Sequence, residues 1–350
     1  MDAGGEALWR WQHAQAGTDP RATAIEPIAF SSIDGWDEDD HDGALECYAR
    51  SLAAAGLAPF SEFDQAGGAR LFFERNFVPN RLKAPPGLLT AYFEPVLFGS
   101  RQRSEAFAVP VYRRPDDLVL LPPGHPLIEL GLTAGRKIGA SYEPYDTRAR
   151  IRTGSLAGKG LEIVYLSDAV QAFVMHVQGS GLVRLDTGAE MRLAFDGKNG
   201  HPYTSISKVL VGRGALTVEG AHLDGLLAWL GAARDPEAIL DENASYIFFR
   251  EAEAGAPTPC GSLGVPLTPG RSLAVDPSLH RLGSLLWVSA PTLAFEGKPM
   301  RRLMVAQDTG SAIRGPQRGD IFVGQGAEAG RIAGRVCHPC EFFVLLPKAS

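Results

Sequence analysis

No run of 18 apolar residues occurs anywhere in the 350-residue sequence, so nothing in it reads as a helix crossing a bilayer. Its opening stretch, MDAGGEALWRWQHAQAG, is too polar for the apolar centre of a signal peptide. Both a cytoplasmic protein and an exported one whose leader lies outside this sequence fit that start. Positive charge is scarce as well: 34 Lys and Arg against 40 Asp and Glu leave a formal charge of −6, which speaks against a general binder of nucleic acid. The local cluster Arg148, Arg150 and Arg152 could offer a small anion site, although such clusters are usually solvated faces. Cysteine is rare. The four, Cys47, Cys260, Cys337 and Cys340, are too few for a disulfide-built framework. Cys337-His338-Pro339-Cys340 has the spacing of a redox or half-zinc motif, but no second pair lies nearby, so a structural disulfide or plain buried thiols is the stronger reading. There is also no repeat of fixed period and no low-complexity tract.

Turn-forming residues, by contrast, are plentiful. The 40 Gly and 25 Pro exceed what a helical bundle tolerates and fit a β-rich fold with many turns. With 45% hydrophobic and 21% charged residues the chain has the composition of a soluble globular protein, long enough for two domains or for one with an insertion.

Residues 1 to 40 are polar and read as a loosely structured lead-in. Leu45, Tyr48, Ala49 and Leu52 then follow helical spacing. GLLTAYFEPVLFGS, residues 87 to 100, is strand-like and aromatic, with Tyr92 and Glu94 on one face and Pro95 interrupting it. Residues 101 to 160 are rich in turns and short strands. Ser167 is placed as the cap of a helix with the stripe Val170, Phe173, Val174 and Val177, ending in Gln178-Gly179-Ser180-Gly181. A glycine stop explains the glycines and leaves Gln178 and Ser180 free for contacts. A strand at Met191 to Phe195 leads into the polar loop Asp196-Gly197-Lys198-Asn199-Gly200-His201. Helices fit Thr204 to Val211 and Leu223 to Leu230, the latter burying Leu223, Leu226, Leu227 and Leu230. Finally SYIFFRE, SLAVD, SLLWV, RLMVAQD, DIFVGQG and FFVLLP supply short β runs that suggest a small barrel closing on itself.

The most telling stretch is RRLMVAQDTGSAIRGPQRGDIFVGQG, residues 301 to 326. Asp308 ends one apolar run and Asp320 opens the next, across a loop of Gly, Ser and Pro. Carboxylates at strand ends beside such a loop can be held with restricted solvation, which raises a pKa and lets an Asp act as an acid near neutral pH. Asp308-Thr309-Gly310, with Asp186-Thr187-Gly188 upstream, invites an aspartic-protease reading. The second triplet stands too near the C-terminus to begin a full lobe, which weighs against it. A binding module without catalysis is the other alternative.

In order along the chain, GLLTAYFEPVL, LSDAVQAFVMHVQGSG, GKNGHPYTSISKVL, NASYIFFRE, SLAVD with LHRLGSLLWV, and RRLMVAQDTGSAIRGPQRGDIFVGQGAEAGRIAG together resemble the lytic murein transglycosylase A family, from about residue 87 to 346. The terminal part is similar to the three-aspartate domain, with Asp276, Asp308 and Asp320 at the matching positions. The resemblance implies a mainly β fold: a double-psi β-barrel domain from residues 1–102 and 238–350, a β-rich domain inserted at 103–237, and a substrate groove between them. It implies cleavage of the β-1,4 bond between N-acetylmuramic acid and N-acetylglucosamine in peptidoglycan, leaving a 1,6-anhydromuramoyl end. Asp320 matches the catalytic acid, Asp308 the aspartate that supports it, and Asp276 a third supporting position. Tyr92, Gln178, Ser180, Lys198 and Asn199 are the expected glycan contacts. No cofactor and no metal is expected. The expected partners are peptidoglycan strands and cell-wall enzyme complexes but no nucleic acid, with the chain a monomer in the periplasm, associated with the outer membrane. A bridge between Cys337 and Cys340 would be particular to this chain.

Overall fold

The computed structural model describes residues 24–57, 67–252 and 257–348. The chain forms two compact units. The first takes the chain up to Tyr92, Cys260–Gly324 and the chain from Val336; the second takes Phe93–Pro259 and Gln325–Arg335.

Six strands carry the first unit: β1 (Gly87–Glu94), β2 (Ser272–Val275), β3 (Leu285–Phe295), β4 (Lys298–Thr309), β5 (Arg318–Gln325) and β6 (Cys337–Pro347). They run in the order β6-β3-β4-β2-β5-β1, and β1 pairs again with β6, so the sheet closes into a six-stranded barrel. The β2–β4 pair is parallel, whereas β2–β5, β3–β4, β3–β6 and β1–β6 are antiparallel. Alternate residues point inward, and Leu89, Leu273, Val275, Leu286, Met304, Ile321 and Phe342 make one buried cluster. Each such side chain contributes roughly 1.5–3 kcal/mol when removed from water.

The helix His41–Ala54 forms because Asp40 caps it, accepting from Gly43 N–H at 3.1 Å, and because Ala44, Leu45, Tyr48 and Leu52 lie along one buried face. That face packs with Phe72 and Phe73 of the helix Gly68–Asn76 against Trp287, Leu303 and Val305. The described part of the N-terminal lead-in, 24 to 40, departs from the expected loose segment; residues 1–23 lie outside the described residues. Ile25–Pro27 pairs with the strand Phe77–Leu82, Ile33 and Trp36 are buried, and Asp39 forms a buried ion pair with Arg271 at 2.8 Å. Polar composition concealed two anchoring apolar side chains and a buried charge pair.

The second unit holds a six-stranded sheet in the order Ile247–Glu251, Glu190–Lys198, Ser180–Leu185, Val96–Ser100, Glu162–Leu166, Val109–Tyr112, with a smaller sheet of Leu118–Leu120, Ala134–Ile138 and Ser141–Pro144. SYIFFRE therefore belongs to this sheet, and β1 takes its place in the barrel. Because Val96–Ser100 and Ile247–Glu251 both pair into this sheet, the units divide at 92/93 and 259/260 instead of 102/103 and 237/238. The helix Ala169–Gln178 covers the sheet with Ala172 and Met175. Its cap is Asp168, not Ser167: the Asp168 carboxylate accepts from Val170 and Gln171 N–H at 2.7 and 3.0 Å. Gly179 ends the helix at φ 83°. Gly181 is required by space, since a Cβ there would stand 2.7 Å from Met175 Sδ and 2.8 Å from Leu97. Val177, placed on the apolar stripe by spacing, is exposed.

Candidate active site

Register brings the two aspartates of the loop into one line. Ala274 of β2 pairs with Asp320 of β5 on one side and with Asp308 of β4 on the other. Ala274 and Asp320 alternate with the inward Leu273 and Ile321, and a bulge at Gln307, after the inward Ala306, sets Asp308 opposite Ala274, so the three share the opposite face of the sheet. On the far side of Asp320, Thr90 of β1 donates its hydroxyl to Asp320 Oδ1. Thr90 in turn pairs with Cys337 of β6.

The two carboxylates have different surroundings. Burial is the main influence on Asp320 and pushes its carboxyl above the usual carboxylate range. The Thr90 hydrogen bond and the Arg318 charge pull it back, and the negative charge of Asp308 adds to the rise. Asp308 is surrounded by donors: Oδ1 accepts from Ser262 N–H at 2.9 Å, Ser262 Oγ at 2.8 Å and Thr309 N–H at 2.8 Å. Its Oδ2 accepts from the Tyr92 hydroxyl at 2.8 Å. Tyr92 lies with its ring 5.5 Å from that of Phe322, and burial followed by the Asp308 charge pushes its phenol well up, so it stays a donor.

Asp276 closes the same unit from behind. It is 4% exposed and accepts from Ser278 N–H and Oγ at 3.1 and 2.7 Å, Gly315 N–H at 2.9 Å and Arg314 at 3.3 Å. Burial pushes its carboxyl up, but these bonds, with Gly315 foremost, outweigh it and hold the pKa below the ordinary value. Asp276 thus ties down the loop that carries the chain from Asp308 to Asp320.

The other expected contacts belong to the second unit and fare unequally. Gln178 spends its carbonyl oxygen on Phe93 N–H at 3.0 Å. Its amide nitrogen makes no hydrogen bond among the described residues. Ser180 opens its strand, half-buried. Lys198 ends a strand without a carboxylate partner among the described residues, and burial lowers its pKa. Asn199 is a correction. It is 0% exposed, its amide nitrogen donates to the Asp146 and Ala244 carbonyls at 2.9 Å each, and its oxygen accepts from Tyr246 N–H at 2.9 Å and His201 N–H at 3.4 Å. No polar capacity remains for a ligand, and the residue is a loop anchor. Glu94 is likewise buried, paired with Arg192 at 2.9 Å. Cys337 is exposed, Cys340 buried, and no disulfide joins them; three residues apart in one strand, they face opposite sides.

Sequence reading missed Thr90 and Ser262. Thr90 had a signal, since it shares the face of Tyr92 two residues on; nothing local marked Ser262. The Asp186-Thr187-Gly188 triplet is a hairpin turn of the second unit, closed by Gly188 N–H to Leu185 O at 2.9 Å, whereas Asp308 ends a barrel strand of the first.

Two family models match the chain: the MltA specific insert domain over residues 88–250 and the 3D domain over residues 271–346. The barrel with its aspartates is therefore of the 3D class, interrupted by an insert. Membrane-bound lytic murein transglycosylase A of Vibrio cholerae is 33% identical over 258 residues, 72% of this chain and 63% of that protein. The crystal structure of a membrane-bound lytic murein transglycosylase from Agrobacterium tumefaciens superposes with a TM-score of 0.82 at 35% identity, covering 93% of this chain and 98% of that one. Escherichia coli MltA with bound chitohexaose gives 0.70 at 25% identity over 96% and 97%. The chain belongs to the membrane-bound lytic murein transglycosylase A family. It spans under two thirds of the length of the curated relatives it matches.

Proposed function

We propose that this chain cleaves the β-1,4 bond between N-acetylmuramic acid and N-acetylglucosamine in peptidoglycan and leaves a 1,6-anhydromuramoyl end. The observation that carries the reading is the Asp320 carboxyl, pushed towards its protonated form by burial beside a second carboxylate. Protonated Asp320 gives its proton to the leaving O4 as the C1–O4 bond breaks. The sugar's own C6 hydroxyl then closes on C1 and returns its proton to Asp320, so one group serves as acid and base. A tethered hydroxyl is already near C1, which replaces the activation of water.

Asp308 supports this without taking a proton. Both its oxygens are engaged by donors, which argues against the ordinary two-carboxylate hydrolysis, where the second group must be open to water or sugar. Its fixed negative charge favours the proton on Asp320 and the positive charge that develops at C1. Asp276 acts at a distance, through the loop it ties. The amide nitrogen of Gln178, the Ser180 hydroxyl and the Lys198 ammonium are the candidates for glycan contact in the second unit, and Tyr92 offers a ring edge. Glycan strands are then the partner, and the site of action is the cell envelope, in the periplasm at the outer membrane.

Digesting purified sacculi and analysing the muropeptides tests the reading. Anhydro-ended products are expected; reducing ends alone would reject the transglycosylase in favour of a hydrolase, and no release at all would favour a binding module.

A further inference from the structure

We propose that Thr90 is a positioning residue that fixes the transferable proton of Asp320 on Oδ2. This rests on Asp320 as the acid and deepens that reading by naming the oxygen that does the chemistry. The Thr90 hydroxyl donates to Asp320 Oδ1, and among the described residues no other group hydrogen-bonds that carboxyl. Arg318, whose charge acts on that carboxyl, directs its guanidinium to the carbonyls of Leu88 and Gly319. A protonated carboxyl accepts more strongly at its carbonyl oxygen than at its hydroxyl oxygen, so a donor held on Oδ1 favours the hydrogen on Oδ2. The donor therefore selects between two otherwise equivalent protonation sites and stops the carboxyl from rotating about its own bond.

The same bond serves both halves of the reaction. In the first, Oδ2–H passes its proton to the leaving O4, and the electron pair left on the carboxylate is stabilised by the Thr90 donor. In the second, O6 bonds to C1 and its hydrogen returns to Oδ2, so the enzyme ends as it began. Proton position and carboxyl orientation come from a hydroxyl on a different strand, held rigid because β1 is paired on both sides, to β5 and β6.

The test compares Thr90→Val, Thr90→Ser, Asp320→Asn and the parent chain on solubilised glycan strands, with kcat and KM measured across pH and unfolding temperature followed alongside. Valine keeps the shape and the strand preference of threonine, so folding is expected to survive. Thr90→Val should lower kcat at least roughly tenfold with KM little changed, since a misdirected acid loses part of a contribution of about 10²–10⁴. Its alkaline limb should move to higher pH, because the lost bond favoured the carboxylate, and Thr90→Ser should restore most of both. A Thr90→Val variant within twofold of the parent and with an unmoved alkaline limb, while Asp320→Asn is inactive, overturns the inference and leaves the proposed function standing. A loss that serine does not restore, or that merely tracks a lower unfolding temperature, also overturns it. Full activity in Asp320→Asn removes the reading on which both depend.

Discussion

Asp320 and Asp308 flank the same residue: Ala274 pairs with the first across β5 and with the second across β4, so the two carboxylates stand in one row, two strands apart. Neighbouring strands are about 4.8 Å apart, which puts roughly 10 Å between the two backbones. The acids are thus close enough for the charge of one to act on the other, yet not in contact. Tyr92 crosses to the second of them and donates its hydroxyl to Oδ2 at 2.8 Å, an arrangement unlike the directly paired carboxyls of an aspartic protease.

Asp320→Asn is expected to abolish anhydromuropeptide release, since an amide cannot give or take the proton, with a loss of at least about 10². The fold should hold. The folded-state pKa of Asp320 lies above its unfolded value, so its penalty is absent at low pH and builds as pH rises through the raised value. Removing the charge should therefore leave the unfolding temperature at pH 7 unchanged or higher. A clear drop would contradict that account.

Asp308→Asn should cost less activity than Asp320→Asn and should move the alkaline limb of the pH profile to lower pH. Asp308 contributes to the raised pKa of Asp320, and deleting its charge makes Asp320 a stronger acid that loses its proton earlier. Equal and complete loss in both variants would instead show that the second carboxylate takes part in the chemistry.

Asp276→Asn should destabilise the protein by about 1–3 kcal/mol at neutral pH, because buried donors lose a charged acceptor. Its folded-state pKa lies below the ordinary value of 3.8, so the parent enjoys this stability above that value and loses it as pH falls through the depressed one. Urea denaturation at pH 7 and pH 3 should therefore show a wider gap between variant and parent at the first than at the second.

Asn199→Ala should lower stability by roughly 1–3 kcal/mol, since Tyr246 N–H and the Asp146 carbonyl lose their Asn199 partner and the Ala244 carbonyl keeps only Arg148 N–H. Chemical denaturation reads that loss. Activity of the folded fraction and its KM for glycan should stay near the parent's; a selective rise in KM would return Asn199 to the substrate contacts.

Much was legible in the residues themselves. Helix caps and stops such as Asp40 and Gly179 are local chemistry, and the alternating apolar runs from Leu273 to Leu345 announce a small barrel, because burial on one face writes itself into a period of two. The ordered motifs that identify the family, and the three aspartates among them, are equally properties of the chain. What those motifs do not carry is which side chains face one another across strands. Thr90 meets Asp320 across 230 positions and Tyr92 meets Asp308 across 216, contacts that depend on strand order and register. Asn199 shows the converse, since a polar residue in a polar loop looks solvent-facing until the backbone groups that claim it are known. Burial, and with it the direction in which the Asp320 pKa moves, is set by every segment that packs around a site; no window of sequence contains it, so only the tertiary structure could decide which aspartate is pushed towards its protonated form.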